Sequence, residues 1–411
     1  MKHWAHNGFK ALTSAWVLAL LATVAWSQGP SIRWLGTHNG NRSIAWGVSR
    51  DGSVVIGTIS YSGYDLAFRW TAAGMEVLNV PGSDPMPWGI SWDGSVIVGQ
   101  GINGYYYRGF IWTADRGVRM VDCSGFHSTS CYGISGNGLI VVGGSSSPTY
   151  GWIGSLGSPC SLIGCDRSSL SDASYDGSVA AGFCGYNGSR RAIIYRRATG
   201  TVQQLGLPPG YPEAFAWSIS GDGSVVIGIT FSSSDWDPTG AFYWTESEGA
   251  RVLSTLGGAK SWVFKGISVD GSVIVGASQN AAGEWRAVRW RRVQGQYRIE
   301  DLNQTYAASL ANGSVLRSAF GMSPDGRYIV GWGYNAATRR DEAFLLDTGP
   351  RCTAHNGDVD NNGCIDDADL LAVLFAFGNT GSNLVRVDVN CDGVVDDADL
   401  LTVLFNFGSG C

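Results

Sequence analysis

The sequence predicts an all-β seven-bladed propeller of four-stranded blades, followed by a small α-helical calcium-binding domain at the C-terminal end. Three observations predict it: 59 glycines and 17 tryptophans in a chain of 411 residues with only 15% charged residues, a strand-turn-strand unit that recurs seven times, and two acidic runs near the end of the chain. The expected layout is a secretory signal peptide over 1–27, the propeller over 28–348, a linker over 349–357 and the calcium-binding domain over 358–411.

The repeat comes first. "AWGVSRDGSVVIG" at Ala45 to Gly57 returns as "PWGISWDGSVIVG", "CYGISGNGLIVVG", "SDASYDGSVAAG", "AWSISGDGSVVIG", "FKGISVDGSVIVG" and "AFGMSPDGRYIVG", with the turn Asp or Asn at 51, 93, 137, 176, 222, 270 and 325. The spacing, 39 to 55 residues, suits propeller blades of about 40–50 residues. Within each copy the glycine after Asp or Asn supplies the positive φ of a tight hairpin, so the flanking apolar runs read as two strands. "LAFRWT", "GFIWT", "GAFYWT" and "EAFLLD" supply third strands, and runs such as "MEVLNV" and "ARVLSTLG" supply fourth ones. The last copy stops at Asp347 without a fourth strand, while "SIRWLG" at Ser31 to Gly36 belongs to no copy. Ile32 to Leu35 is therefore expected beside Ala343 to Leu346, which closes the ring and removes its free edges.

These units resemble the HAF family of extracellular repeats, through "LAF", "GAF" and "EAF", and "SPDGRYIVG" looks like a blade of the WD-like propellers. The resemblance implies secretion and names no reaction.

Charge and cysteine usage bound the function. Lys2 and Lys10 precede the apolar run "ALTSAWVLALLATVAW" and small residues at Ala25 and Ser27, the pattern of a secretory signal cut near Gln28, with an uncleaved anchor as the alternative. Beyond it no apolar stretch is long enough to span a bilayer. A net charge of −6 provides no basic patch and argues against nucleic acid. Nine cysteines in an exported chain permit disulfides. Cys123 with Cys131, and Cys160 with Cys165, are spaced for local staples, and Cys352 with Cys411 for a clamp on the last domain, although spacing fixes no connectivity.

Catalytic constellations are hard to find. The turn aspartates read as turn chemistry. His38, His127 and His355 lack metal-ligand spacing. A glycosidase needs two facing carboxylates, and the loops offer Asp84, Asp115, Glu213, Asp235, Asp237, Glu246 and Glu248 with nothing to pair them. Five residues before the turn, five copies carry an aromatic: Trp46, Trp88, Tyr132, Trp217 and Phe320. At the start of innermost strands these rings either pack between blades or form a stacking platform for a glycan or another apolar-faced ligand.

The acidic runs are counted by ligand position. A calcium loop takes oxygens at positions 1, 3, 5, 7, 9 and 12, with glycine at 6. "DVDNNGCIDDAD" supplies Asp358, Asp360, Asn362, the carbonyl of Cys364, Asp366 and Asp369. "DVNCDGVVDDAD" supplies Asp388, Asn390, Asp392, the carbonyl of Val394, Asp396 and Asp399. Two calcium ions are expected. A short apolar helix follows each loop, with Leu370, Val373, Leu374 and Phe377, or Leu400, Val403, Leu404 and Phe407, on its inner face and Gly378 or Gly408 at its end.

This duplicated loop-helix unit resembles type I dockerin, a calcium-dependent module that binds cohesin domains. The resemblance implies a cohesin-like or other protein partner contacting Asp367, Ala368, Leu374 and Phe375, and Asp397, Ala398, Leu404 and Phe405. Two functions follow as expectations. One is an extracellular, non-catalytic binding or surface-assembly protein; the other is a secreted polysaccharide-degrading enzyme of glycoside hydrolase type, the usual cargo of a dockerin.

Overall fold

The computed structural model describes residues 29–123, 125–146, 149–156, 160–186, 188–232, 238–311, 313–349, 355–360, 362–379, 384, 386–390 and 395–411. The expected signal peptide lies outside them.

The β portion contains five four-stranded sheets and one of eight strands. The eight-stranded sheet divides where a single parallel pair, Lys265 with Gly321, joins its halves. The described residues thus form seven four-stranded antiparallel units, which are propeller-like blades. The second strand of most units is mainly apolar because it is covered on both faces; Val55 to Ile59 and Val225 to Phe231 are buried throughout.

Strand Ser31–Trp34 lies antiparallel to Arg340–Asp347, with Ile32 opposite Leu346, Arg33 opposite Leu345 and Trp34 opposite Phe344. The chain's first described strand therefore completes its last blade, the pairing expected from the unmatched ends. An apolar core of Val330 and Leu345 with Val48, Val55 and Phe68 then joins the last blade to the first, and equivalent cores lie between the other neighbours.

The turn aspartates serve their own turns. Asp51 accepts from the Ser49 hydroxyl at 2.7 Å and the Ser53 amide at 3.0 Å, while Ser49 Oγ accepts from Val54 N at 3.0 Å; Gly52 takes φ 72°. The residue before each Asp or Asn, or that residue itself, then bonds to the next blade: Arg50 N to Trp92 O, Trp92 N to Gly136 O, Asn137 N to Tyr175 O, Tyr175 N to Gly221 O, Asp222 N to Val269 O and Val269 N to Pro324 O. Among the described residues no such bond leads on from Pro324, which has no N–H, or from Asp325 to the first blade.

The local cysteine staples are corrected. Cys123 bonds Cys160, and Cys165 bonds Cys184, while Cys131 is free and buried. Cys131 lies within strand Ser128–Ile134 with its sulfur under Gly109, where an added Cβ would stand 2.6 Å from it. It is core. Its supposed partner instead tethers the third blade's outer strand, Ser161–Asp166, whose Leu162 is exposed; one cysteine at each end of that strand anchors it to a neighbouring blade. In the last domain Cys411 bonds Cys364, and the expected partner Cys352 lies outside the described residues.

That domain holds helices Asp367–Ala376 and Asp397–Phe405, each begun by a capping box, of Asp366 with Asp369 and of Asp396 with Asp399. Its core is Val359, Ile365, Val373, Val389, Val395 and Val403, with Leu370 and Leu400 against it. Leu374, Phe377, Leu404 and Phe407 were expected inside and are half exposed. Small valines from the loops form the opposite wall, so each helix buries only a narrow stripe. No helix among the described residues is long and apolar enough to cross a membrane.

Candidate functional site

Each innermost strand breaks register at one equivalent place, between Ala45 and Gly47, Pro87 and Gly89, Cys131 and Gly133, Leu170 and Asp172, Ala216 and Ser218, Val263 and Ile267, and Ala319 and Gly321, and three of the strands break a second time nearer their starts. The residues left over are Trp46, Trp88, Tyr132, Ser171, Trp217, Phe320 and, within the wider sixth break, Phe264, Lys265 and Gly266. A bulge re-aims its side chain. The predicted aromatic column is therefore a column of bulges, set within the strands rather than at their starts. Its signal in the sequence is the glycine that ends each repeat. Gly57 pairs with Ala45 at the bulge, and a Cβ there would lie 2.1 Å from the Ile44 carbonyl oxygen.

The bulged rings gather at one mouth of the axial channel. Trp46 lies 5.5 Å from Trp88, 4.6 Å from Phe320 and 5.6 Å from Phe264 by ring centroids, and Trp217 lies 5.0 Å from Phe264. Trp46, Trp88 and Trp217 are partly buried and Phe320 is buried, so they pack with one another across the mouth and keep some surface. At the turns Trp92 packs tilted against Tyr175 at 4.6 Å, over Gly136 and Gly221, where any Cβ would meet its ring.

Beneath the aromatic mouth, a cavity of about 80 Å³ contains Lys265 and Asp172. Lys265 Nζ donates to the carbonyls of Tyr132 and Ser171 and lies 4.0 Å from Asp172 Oδ1; Asp172 also accepts from the Ser218 hydroxyl. Burial pushes the Asp172 carboxyl up and the Lys265 ammonium down, each opposed by the other's charge. Sequence reading missed both residues, because Lys265 interrupts the aromatic column and Asp172 adjoins it.

Two pockets flank the mouth. One, of about 560 Å³, is walled by Trp46, Phe320, Trp262, Trp285 and Trp332. The other, of about 330 Å³, sets Tyr132, Phe215 and Trp217 among serines. The described carboxylates considered for catalysis are engaged elsewhere: Glu213 with Arg190, Glu246 with Arg196, Glu248 with Arg292 and Asp115 with Arg116, while Asp84 accepts from Asp65 N. Asp235 and Asp237 lie outside the described residues.

In the C-terminal domain, carboxylate oxygens of Asp358, Asp360 and Asp369 lie within 4.8 Å of one another. The backbone arranges this: Asn362 N and Gly363 N donate to the Asp358 carboxylate at 3.1 Å each, and Gly363 turns the loop at φ 92°. Asp369 is buried and accepts from the amides of Val359, Asp360 and Asp366. Burial raises its carboxyl, but those amides outweigh burial and hold it below the ordinary value. Asn362 Oδ1 accepts from Cys364 N, and Asp366 caps the helix through Ala368 N, as a position-9 residue that reaches its ion through water can do. Crowded oxygens on a glycine turn fit a hard divalent cation. The second loop repeats the pattern, with Asp388 and Asp399 buried and Asn390 N and Asp396 N donating to Asp399; Asp392 and Val394 lie outside the described residues. Of the expected partner contacts, Phe375 and Phe405 are 86% and 83% exposed, Leu374 and Leu404 are half exposed, and Asp367, Ala368, Asp397 and Ala398 form the exposed first turns of the helices.

No family model matches the chain, and no curated protein matches it. Solved structures of similar shape include oligogalacturonate lyase from Vibrio parahaemolyticus, 10% identical, covering 78% of this chain and 97% of that one with a TM-score of 0.48. A chain of the mitotic checkpoint complex is 14% identical, with coverage of 84% and 97% and a TM-score of 0.48. The putative TolB of Agrobacterium tumefaciens is 16% identical, with coverage of 54% and 81% and a TM-score of 0.42. Strand order and packing between units, rather than these likenesses, define the propeller-like fold.

Proposed function

We propose that the chain is a secreted, non-catalytic binding or surface-assembly protein. A seven-bladed propeller engages a glycan at its aromatic mouth, and a dockerin-like module folded around two calcium ions docks to a protein partner through Asp367, Ala368, Leu374 and Phe375 and their counterparts Asp397, Ala398, Leu404 and Phe405. The observation that carries the binding reading is the pair of mouth pockets, walled by rings and hydroxyls with no carboxylate among their described lining residues. Three disulfides among the described residues suit an oxidising compartment. Asp358, Asp360, Asn362, Asp366, Asp369 and the Cys364 carbonyl would hold one ion, and Asp388, Asn390, Asp392, Asp396, Asp399 and the Val394 carbonyl the other. Calcium would offset the mutual repulsion of those carboxylates and so fix the loops.

The test is a glycan array probed with the full chain in calcium, with the retained glycans then assayed for hydrolysis. Retention without new reducing ends is expected. Release of sugar products would return the chain to the glycoside hydrolase reading, and failure to retain any glycan would remove the sugar from the proposal.

A further inference from the structure

One ring, Phe264, links the walls of the two mouth pockets. Phe264 touches Trp46, which lines the larger pocket, and Trp217, which lines the smaller one, at 5.6 and 5.0 Å between centroids. We infer that the pockets are two contact points of one track for an uncharged oligosaccharide, so that affinity depends on chain length; this rests on the glycan-binding reading above.

The larger pocket adds three tryptophans that lie outside the bulge column. Trp262 is held edge-on to Phe320, at 5.4 Å and 85°. Trp332 carries the Arg317 guanidinium 5.7 Å over its ring, and Asp341 steadies Arg317 at 3.9 Å. Trp285 opens the strand Trp285–Val293 and is partly exposed. Between these rings lie the Gln279 amide and the Ser318 hydroxyl, the latter residue only 4% exposed. Flat apolar faces set beside a few hydrogen-bonding groups match a sugar ring, which has an apolar face and a hydroxyl edge.

The smaller pocket repeats that chemistry with other residues: Tyr107, Tyr132 and Trp217 stand among Ser130, Ser145 and Ser169. Its described lining includes no charged side chain. Lys260, the cation among the described residues lining the larger pocket, already has a partner. The smaller pocket therefore offers no counter-charge among its described lining residues, so a chain that spans both pockets is uncharged where it crosses the smaller one. Because one ring separates the walls, a ligand of a few linked sugars reaches both pockets, and the second contact forms at the high effective concentration of a tethered group.

The experiment is calorimetric titration of the full chain in calcium with cello-, xylo- and manno-oligosaccharides from the disaccharide to the octasaccharide, with hyaluronan fragments as the charged arm. For at least one neutral series, affinity should rise by about tenfold or more with length and then level off. Trp285→Ala and Tyr107→Ala should each return the long-chain affinity to that of the short chain, with Trp285→Phe retaining most of it and unfolding midpoints unchanged. Affinity independent of length, a preference for hyaluronan, or insensitivity to Trp285→Ala where Tyr107→Ala abolishes binding would overturn the two-pocket track while leaving glycan binding intact. Binding of no sugar at all would overturn both.

Discussion

Lys265 crosses the axis from the sixth blade to reach the fourth, placing its ammonium 4.0 Å from the carboxylate of Asp172. It stands in the column where five other copies carry a ring, and it bonds the backbone carbonyls of two of the bulges, Tyr132 and Ser171. A charge in that position acts as a strut between distant blades.

Removing one end of the strut leaves the other charge buried. Lys265→Met should lower stability by about 3–5 kcal/mol, and Lys265→Met with Asp172→Asn by clearly less, because a lone buried charge costs more than a missing pair. Thermal unfolding of the two variants and the wild type decides it. A double variant no more stable than the single one would show that the pair is not coupled.

Acid should weaken the turns. Asp51 and Asp93 are raised by burial, but serine hydroxyls and backbone amides outweigh it and hold both below the ordinary carboxyl value; in Asp176 the Ser178 amide and hydroxyl do the same. A lowered folded-state pKa means that the stabilisation is complete above the unfolded carboxyl range and is lost as pH falls through the folded value. The third blade supplies an uncharged control, since Asn137 makes the same bonds to Ser135 and Leu139. Asp93→Asn should therefore unfold below wild type at neutral pH, and the gap should close in acid. A gap of constant size across the pH series would argue that the charge is irrelevant.

The two acidic loops should not act separately. Ile365 of the first loop exchanges backbone bonds with Gly408 and Ser409 after the second helix, and Val395 of the second loop does so with Gly378 and Asn379 after the first. Asp360→Ala should thus weaken both binding steps in a calcium titration and reduce the helical signal of the C-terminal domain at limiting calcium. Loss of one step with the other unchanged would mean independent loops.

Without residues 29–36 the strand Arg340–Asp347 has a bare edge. The shortened chain should aggregate and unfold at lower temperature, and a synthetic Ser31 to Gly36 peptide should partly restore it by adding a strand in trans. An unchanged midpoint would mean that this strand contributes little to closure.

Much of the β portion was legible because its signals are local. A turn of Asp-Gly and a doubly covered apolar strand are fixed by residues a few positions apart, and so are the loop carboxylates Asp358 and Asp360. The missed features depend on what lies opposite. The bulge beneath Trp46 appears only when Gly57 is read as a partner pressed against Ile44, and the Cys123 to Cys160 bond follows from which strands neighbour one another. Lys265 carried no signal of its own. The exposure of Leu374 and Phe377 escaped for a related reason, since a helical stripe shows which residues are apolar and not how wide the facing wall is.

The series of bonds between turns stops at Pro324, and the same blade waits for Ser31–Trp34 to complete it. A strand made near the start of the chain must be held unpaired until its partner, some three hundred positions later, has been made. Closing so long a loop is slow, so the seam between the last blade and the first should be the final contact to form during folding. Any helper that shields strand edges in the folding chain has that interval in which to act.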